Sequence, residues 1–169
     1  MALTKVIGAG LGNLDENITF SSAGKGVHLG VTSATASNLI DDYEEGTFTP
    51  TLSTDSTYSG DTDVGEYTKI GDMVYVVIRY QKSGTINSGS NARHSLPFTS
   101  KSGSFQNSCF RGNVENIDTS VAGVGGVAGA DQSILYLQEL TLQTTTPTLS
   151  GNDLGTGFQI QISGFYKAT

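Results

Sequence analysis

The chain has 169 residues, a formal net charge of −7 and only 15% charged residues. This acidity argues against nucleic-acid binding, because a polyanion needs a basic surface, and no apolar run approaches the roughly 18 residues of a membrane span. Hydrophobic residues make up 36% of the chain, below the roughly 45–50% of a typical globular domain. We therefore expect the protein to bury surface against copies of itself.

Residues 1–46 are predicted to form an extended, glycine-rich arm. Glycine recurs between Gly8 and Gly30, and apolar residues occur only in short groups without a sustained helical period. The first residues contain no apolar core, so they are not expected to form a signal peptide. Too few apolar residues are present for a core, so this arm should lie against the rest of the chain, a second copy or a docking partner.

The remaining residues, 47–169, alternate strand-like and turn-like segments. Tyr67–Ile70 and Met73–Lys82 have strand composition and are joined by a Gly-Asp pair, which predicts a β-hairpin. Phe158–Tyr166 alternates apolar and polar residues with a period of two, as in a half-buried antiparallel strand.

Several strands, no convincing helix and many turn residues predict an all-β fold with an antiparallel β-sandwich or jelly-roll head. Thr47–Leu52 also alternates in this way. The other predicted strands are Ser108–Val114 and Ser133–Leu142, and the predicted loops are 53–65, 83–93, 99–107 and 143–157.

The segment NLIDDYEEGTFTPTL, residues 38–52, is interpreted as the joint between arm and head. Its four clustered carboxylates repel one another, so they should face water or meet cations. Gly46 would let the chain change direction, and Tyr43 would pack against its own head or a neighbour's. The carboxylates belong to Asp41, Asp42, Glu44 and Glu45, and the candidate cations are Lys25, Lys69, Arg79 and Lys82.

No enzyme and no cofactor are predicted. The two histidines, His28 and His94, lie in unrelated segments, and no Gly-x-Ser-x-Gly motif is present. The clustered acids lie on a predicted turn, which does not provide the fixed separation of a glycosidase pair. The GVGGVA stretch at 123–128 has no helix pattern after it, so a flexible turn or close backbone packing is favoured over a dinucleotide loop.

The sequence contains no clear metal-binding or redox motif either. The acids of the 55–66 loop do not follow the EF-hand spacing, so no metal site is predicted, although a looser calcium site there stays open. Cys109 stands alone, which rules out an intrachain disulfide, and it is expected to be a buried or half-buried small side chain.

Three phrases of the sequence resemble a module of tail fibres and related virion proteins of tailed bacteriophages, especially aquatic ones. They are GKGVHLGVTSATASNLIDDYEEGTFTPTL, GEYTKIGDMVYV and LPFTS. The resemblance covers residues 18–100 best, with Ile40 in place of the usual leucine and Asp72 where asparagine is common. It implies a trimeric virion component, made in the cytoplasm of the bacterial host, whose arm contacts other virion proteins.

The resemblance leads us to expect an arm-plus-head protein that serves as a short tail fibre or fibre tip. The alternatives are a capsid decoration, cement or head-fibre protein and, third, a glycan-degrading fibre enzyme. The predicted loops 53–65, 83–93 and 143–157 are long, polar and without apolar residues that would explain their length, which favours recognition of the host surface, with a glycan as the candidate ligand. The candidate contact residues are Tyr58, Asp61, Asp63, Asn87, Asn91, Asn152 and Asp153.

Overall fold

The computed structural model describes residues 18–33, 35–53, 62–82, 91–103, 108–117, 121, 123–140 and 148–169. The chain divides into two compact units, Met1–Asp41 and Asp42–Thr169. We call the first unit the arm and the second the head. The head therefore begins a few residues earlier than Gly46, the predicted end of the arm.

The arm contains one small antiparallel pair of strands. β1 (Val27–His28) pairs with β2 (Leu39–Ile40), and a short 3-10 helix, Ala36–Asn38, precedes β2. In the described part of the arm no hydrophobic side chain is buried, as the sequence predicts for a segment without a core. The large hydrophobic side chains that it exposes are Ile18, Phe20, Val27, Leu29, Val31 and Ile40.

The head is one continuous antiparallel sheet of nine strands in the order β3-β5-β6-β11-β8-β9-β10-β7-β4. The all-β prediction is confirmed, and the finer assignment to a sandwich or jelly roll stays a prediction. In the described residues neither 3-10 helix is long and apolar enough to cross a membrane. The strands are β3 (Tyr43–Phe48), β4 (Leu52–Ser53), β5 (Thr62–Ile70), β6 (Met73–Gln81), β7 (Arg93–Ser95), β8 (Ser108–Ile117), β9 (Val124–Ala128), β10 (Ile134–Glu139) and β11 (Leu154–Lys167).

The sheet curls around its own core because its two edge strands are neighbours in the chain. β3 and β4 form opposite edges, yet only residues 49–51 separate Phe48 from Leu52. Four residue steps span at most about 14 Å, so the two edges must lie close together. At this corner the Ser95 amide donates to the Thr51 carbonyl at 3.0 Å, and the Thr51 amide donates to Ser95 Oγ at 2.9 Å.

β11 is the fourth of the nine strands in the sheet and carries much of the core. It pairs with β6 on one side and β8 on the other. The predicted period of two is confirmed, since Phe158, Ile160 and Ile162 are buried while the residues between them are not. Tyr80 of β6 stacks on Phe158 with ring centroids 5.7 Å apart. Inner-face residues of β9 and β10 complete this core.

Several predicted loops are wrong because parts of them belong to the sheet. β5 begins at Thr62 and β11 at Leu154, so both strands extend into predicted loops. Ala92 and Leu149, from the loops 83–93 and 143–157, are fully buried. These loops therefore do contain apolar residues that pack in the core. The GVGGVA stretch forms β9, where close backbone packing was one of the two predicted outcomes.

Glycines on β8 and β11 let these two strands approach closely. A β-carbon on Gly164 would overlap the Cys109 carbonyl oxygen and come within 2.7 Å of Phe110 Cα, while one on Gly112 would come within 2.8 Å of Ile162 Cα. Backbone atoms cannot move aside as a flexible side chain can. These two positions therefore require glycine because of the space available.

Gly164→Ala should lower the free energy of unfolding by about 2 kcal/mol, because overpacking against backbone forces the central strands apart. Gly123→Ala is the matched control, since its β-carbon would meet only the Leu140 side chain at 3.4 Å. Urea denaturation of both variants measures the difference. Equal stability of the two variants would show that the β8–β11 approach is not a constraint.

His94 is a core residue whose ring is fully buried. Its ring centroid lies 5.2 Å from that of Tyr80, and neither ring nitrogen has a hydrogen-bond partner among the described residues. Burial disfavours the charged imidazolium, which lowers the pKa of His94 from 6.5 to about 4. Between pH 6.5 and about pH 4, His94 therefore binds a proton in the unfolded chain but not in the folded head.

This proton uptake should destabilise the head as the pH falls from 7 to 4, with about 3 kcal/mol lost through His94 alone. His94→Leu should remove that contribution, so its free energy of unfolding should fall less steeply over this range than that of the wild-type protein. Urea titrations at several pH values measure both slopes. Parallel curves would contradict the proposed role of His94.

Candidate functional site

Part of the predicted acidic joint is strand β3, and the carboxylates of Asp42, Glu44 and Glu45 point to two sides. Asp42 forms an ion pair with Lys69, and Glu44 accepts a hydrogen bond from the Tyr67 hydroxyl. Alternation along a strand turns the intervening side chains to the opposite face. Tyr43 lies there and donates to Glu45 Oε2 at 2.7 Å. The prediction of a turn at residues 43–46 is therefore wrong, whereas the four carboxylates are exposed as predicted and Lys69 is one of the predicted cations.

Gly46 serves packing rather than a change of direction. A β-carbon at this position would lie 2.8 Å from the Tyr67 hydroxyl oxygen, so glycine lets that ring lie where it does without shifting. Tyr67 packs edge-on against Phe98 with centroids 5.1 Å apart, and Lys69 Nζ lies 5.8 Å from the same ring centroid. Glu44 also raises the pKa of Tyr67 through their hydrogen bond. The joint is thus an ordered contact between β3 and β5.

An apolar patch covers one end of the outer face of the head. Strand register places Tyr43 opposite Ile70, Ile70 opposite Met73, and Tyr75 opposite Phe165. All five are exposed, and half of the Tyr75 surface is accessible. Contiguous exposed apolar side chains mark interaction sites in many soluble proteins. We call Tyr43, Ile70, Met73, Tyr75 and Phe165 the apolar patch.

Tyr43 is the most exposed member of the patch, with 58% of its surface accessible. The prediction that it packs against its own head is therefore wrong, because its hydroxyl reaches only as far as Glu45 on the same strand. That hydrogen bond raises the pKa of the Tyr43 phenol. Packing of Tyr43 against a neighbouring copy stays a prediction.

Charges of opposite sign flank the apolar patch. Glu45 and Glu66 lie on β3 and β5, at one side of Tyr75. Lys167 lies opposite Met73, and Arg111 of β8 lies opposite Ser163, at the other side of the patch. An open groove of about 440 Å³ runs along the acidic side; its lining includes both glutamates and no basic residue. The patch is therefore bordered by two carboxylates on one flank and by two cations on the other, while Arg79 and Glu115 lie farther along the same face.

A second groove lies on the basic side of the outer face. It has a volume of about 810 Å³, and Arg111, Asn113, Glu115 and Gln161 contribute to its lining. The same side contains Cys109, which is exposed and pairs across the sheet with Phe165. The prediction that Cys109 is buried or half-buried is wrong, because the alternation of β8 turns its neighbour Phe110 inward instead.

Few of the residues predicted to contact a receptor lie near one another in the structure. Asn91 is exposed and pairs with Ser150, and Asp153 accepts hydrogen bonds from the amide and hydroxyl of Ser150 at 2.7 and 2.6 Å. Asp153 therefore orders a turn near Asn91. Asp63 lies apart from them as a half-buried residue of β5 opposite Tyr80, which corrects its placement in a loop.

The remaining predicted contacts cannot be assessed in the same way. Asn152 lies in the 3-10 helix Gly151–Asp153, and its side chain is outside the described part of the structure. Tyr58, Asp61 and Asn87 lie outside the described residues, as does most of the candidate calcium loop. Within the described ranges, no group of three or more potential metal ligands is present. The sequence alone did not reveal the apolar patch, although two of its members, Met73 and Tyr75, follow the period of two along β6.

Comparisons with known proteins find no relative of the chain. No protein-family model matches the sequence, and a search of curated proteins finds no significant match. The resemblance to phage fibre proteins therefore rests on the sequence phrases alone.

Asp42→Asn should lower the free energy of unfolding by about 1 kcal/mol, because it leaves the largely buried Lys69 ammonium without its ion-pair partner. The accessible fraction of the Lys69 side chain is 12%. Asp72→Asn is the matched control: its ion pair with Lys101 is 3.5 Å long with both side chains about half exposed, so a change below about 0.5 kcal/mol is expected. Equal losses in chemical denaturation would contradict the structural role assigned to Asp42.

Proposed function

We propose that the chain is a structural subunit of a tailed-phage virion, a short trimeric tail fibre or fibre tip whose head meets the host surface. The observation that carries this proposal is that two of the phrases behind the resemblance lie side by side as β3 and β5. Asp42 and Glu44 belong to the first phrase, and their partners Lys69 and Tyr67 belong to the second. The two phrases thus act as one structural signature, which supports a shared module.

The use of the carboxylates favours a binding and assembly role over catalysis. Glycoside hydrolysis needs two carboxyl groups that face each other across a substrate cleft. In the head, Asp42 and Glu44 contact residues of β5, while Glu45 accepts from Tyr43 on the opposite face. Asp42 and Glu44 therefore stabilise the contact between β3 and β5, whereas the Glu45 carboxylate lies on the other face.

The exposed apolar side chains support an assembled subunit rather than an isolated one. The arm exposes hydrophobic residues along its described length, and the head exposes the apolar patch. Both surfaces gain stability when they are buried. A trimer that buries them is consistent with the low hydrophobic content of the chain, and in this proposal the arm also contacts other virion proteins.

Host recognition is assigned to polar groups of the head. Asn91 and the neighbouring turn ordered by Asp153 present amide and backbone groups at the surface. Such groups can form hydrogen bonds to the hydroxyls of a host-surface glycan. Individually weak contacts suffice, because three heads on one axis raise the effective concentration of the remaining binding sites.

Phage particles that contain the chain should show it at the ends of tail fibres when labelled with a specific antibody and imaged by cryo-electron microscopy. The purified full-length protein should also reduce adsorption of these particles to host cells, because it occupies the same receptor. Heat-denatured protein at the same concentration is the control.

Label at capsid vertices or faces, together with unchanged adsorption, would overturn the fibre proposal in favour of a decoration protein. Release of reducing ends from host polysaccharide by the purified protein would overturn the non-enzymatic role. Absence of the chain from purified particles would contradict both structural roles.

A further inference from the structure

We propose that the apolar patch is the contact surface between copies of this chain, with the acidic flank of one head against the basic flank of the next. This inference rests on the trimer of the proposed function and names the surface that forms it. Two independent properties of the outer face support it: the exposed side chains of the patch, and the opposite charges at its two flanks.

The patch has the composition of the centre of a protein interface. Three of its five side chains are Tyr43, Tyr75 and Phe165, and aromatic residues dominate interface contacts. They project from strands that are hydrogen-bonded to one another, so they lose little freedom when a partner covers them. A rigid apolar surface of this kind suits a partner with an equally ordered face, which a second copy supplies.

The charges specify that this partner is another copy. Glu45 and Glu66 border the patch on the β3–β5 side, and Lys167 and Arg111 border it on the β11–β8 side. A surface with both signs, separated by an apolar centre, complements a second surface of the same kind when the flanks are opposed. Like-charged flanks would repel, so electrostatics fixes the orientation of the contact.

The groove on the acidic side offers a place for the neighbour's cation. Glu45 and Glu66 contribute to its lining beside Tyr75, and its volume of about 440 Å³ is sufficient for a long side chain. Arg111 is exposed on the opposite flank of the same face. The structure thus provides both halves of the contact, an acidic groove and an exposed guanidinium group, on one chain.

Charge reversal tests the proposed contact directly. The variant Glu45→Lys with Glu66→Lys, and the variant Arg111→Glu with Lys167→Glu, should each raise the dissociation constant of the assembly by about tenfold or more, because each creates like-charged flanks. The variant with all four changes restores opposite flanks and should assemble nearly as well as wild type. Sedimentation velocity over a range of concentrations measures all four proteins.

The apolar centre is tested separately. Tyr75→Ser with Phe165→Ser should weaken assembly by about 30-fold or more, as expected for loss of central anchors. Val64→Ser is the matched control, because Val64 is exposed on the same face outside the patch. Circular dichroism and thermal unfolding of the diluted proteins verify that each variant still folds.

The reactivity of the Cys109 thiol provides a second, independent measurement of the same contact. It is exposed beside Phe165 in the isolated chain, so a thiol reagent should modify it rapidly. Assembly should slow this reaction, and the charge-reversed pairs should restore the rapid rate. Labelling that is equally fast in assembled and dissociated protein would count against burial of this face.

The outcomes separate this inference from the proposed function. A wild-type trimer that withstands both charge reversal and the serine changes overturns the interface but leaves the fibre proposal standing. A dimer that responds to these changes supports the interface and overturns the trimer. A monomeric wild-type protein overturns both, and loss of the patch variants from particles would then identify a different virion protein as the partner.

Discussion

The pairing of β3 with β5 is the constraint on which the rest of the head depends. β3 is an edge strand, and its position is fixed by side chains as well as by the backbone ladder. Asp42 pairs with the largely buried Lys69, Glu44 binds the Tyr67 hydroxyl, and Gly46 leaves room for the Tyr67 ring. These contacts anchor the chain where it enters the sheet, and the next residues then carry it to the opposite edge.

The curl of the sheet gives the head two surfaces with different roles. The inner face encloses a core that includes Tyr80, Phe158 and the fully buried His94. The outer face of the same strands presents the apolar patch between an acidic and a basic flank. Because side chains alternate along each strand, every residue added to the core places its neighbours on the outer face. Stability of the fold and the composition of the outer surface are therefore linked through strand register.

The sequence predicted the all-β class, the 71–72 turn and the alternation of β11, because these depend on local period and turn chemistry. It did not predict the division of the acidic segment between two faces, since that requires knowing that Tyr67 and Lys69 lie opposite. For the 123–128 stretch the sequence left a flexible turn and close backbone packing open, and the strand β9 shows the close packing, because a β-carbon on Gly126 would come within 2.7 Å of the Leu135 side chain. The sequence did not reveal the apolar patch, because its residues come together only when strands that are far apart in the sequence pair in the sheet.

Hydroxyl-radical footprinting of the wild-type protein, diluted below and concentrated above its assembly midpoint, tests the central claim most directly. The account predicts that oxidation of Tyr43, Tyr75 and Phe165 falls together on assembly, because one contact covers all three side chains. Tyr136, half-buried on the distant strand β10, serves as the reference whose oxidation should not change. Assembled protein in which the three patch residues remain as reactive as in the diluted chain would contradict the account.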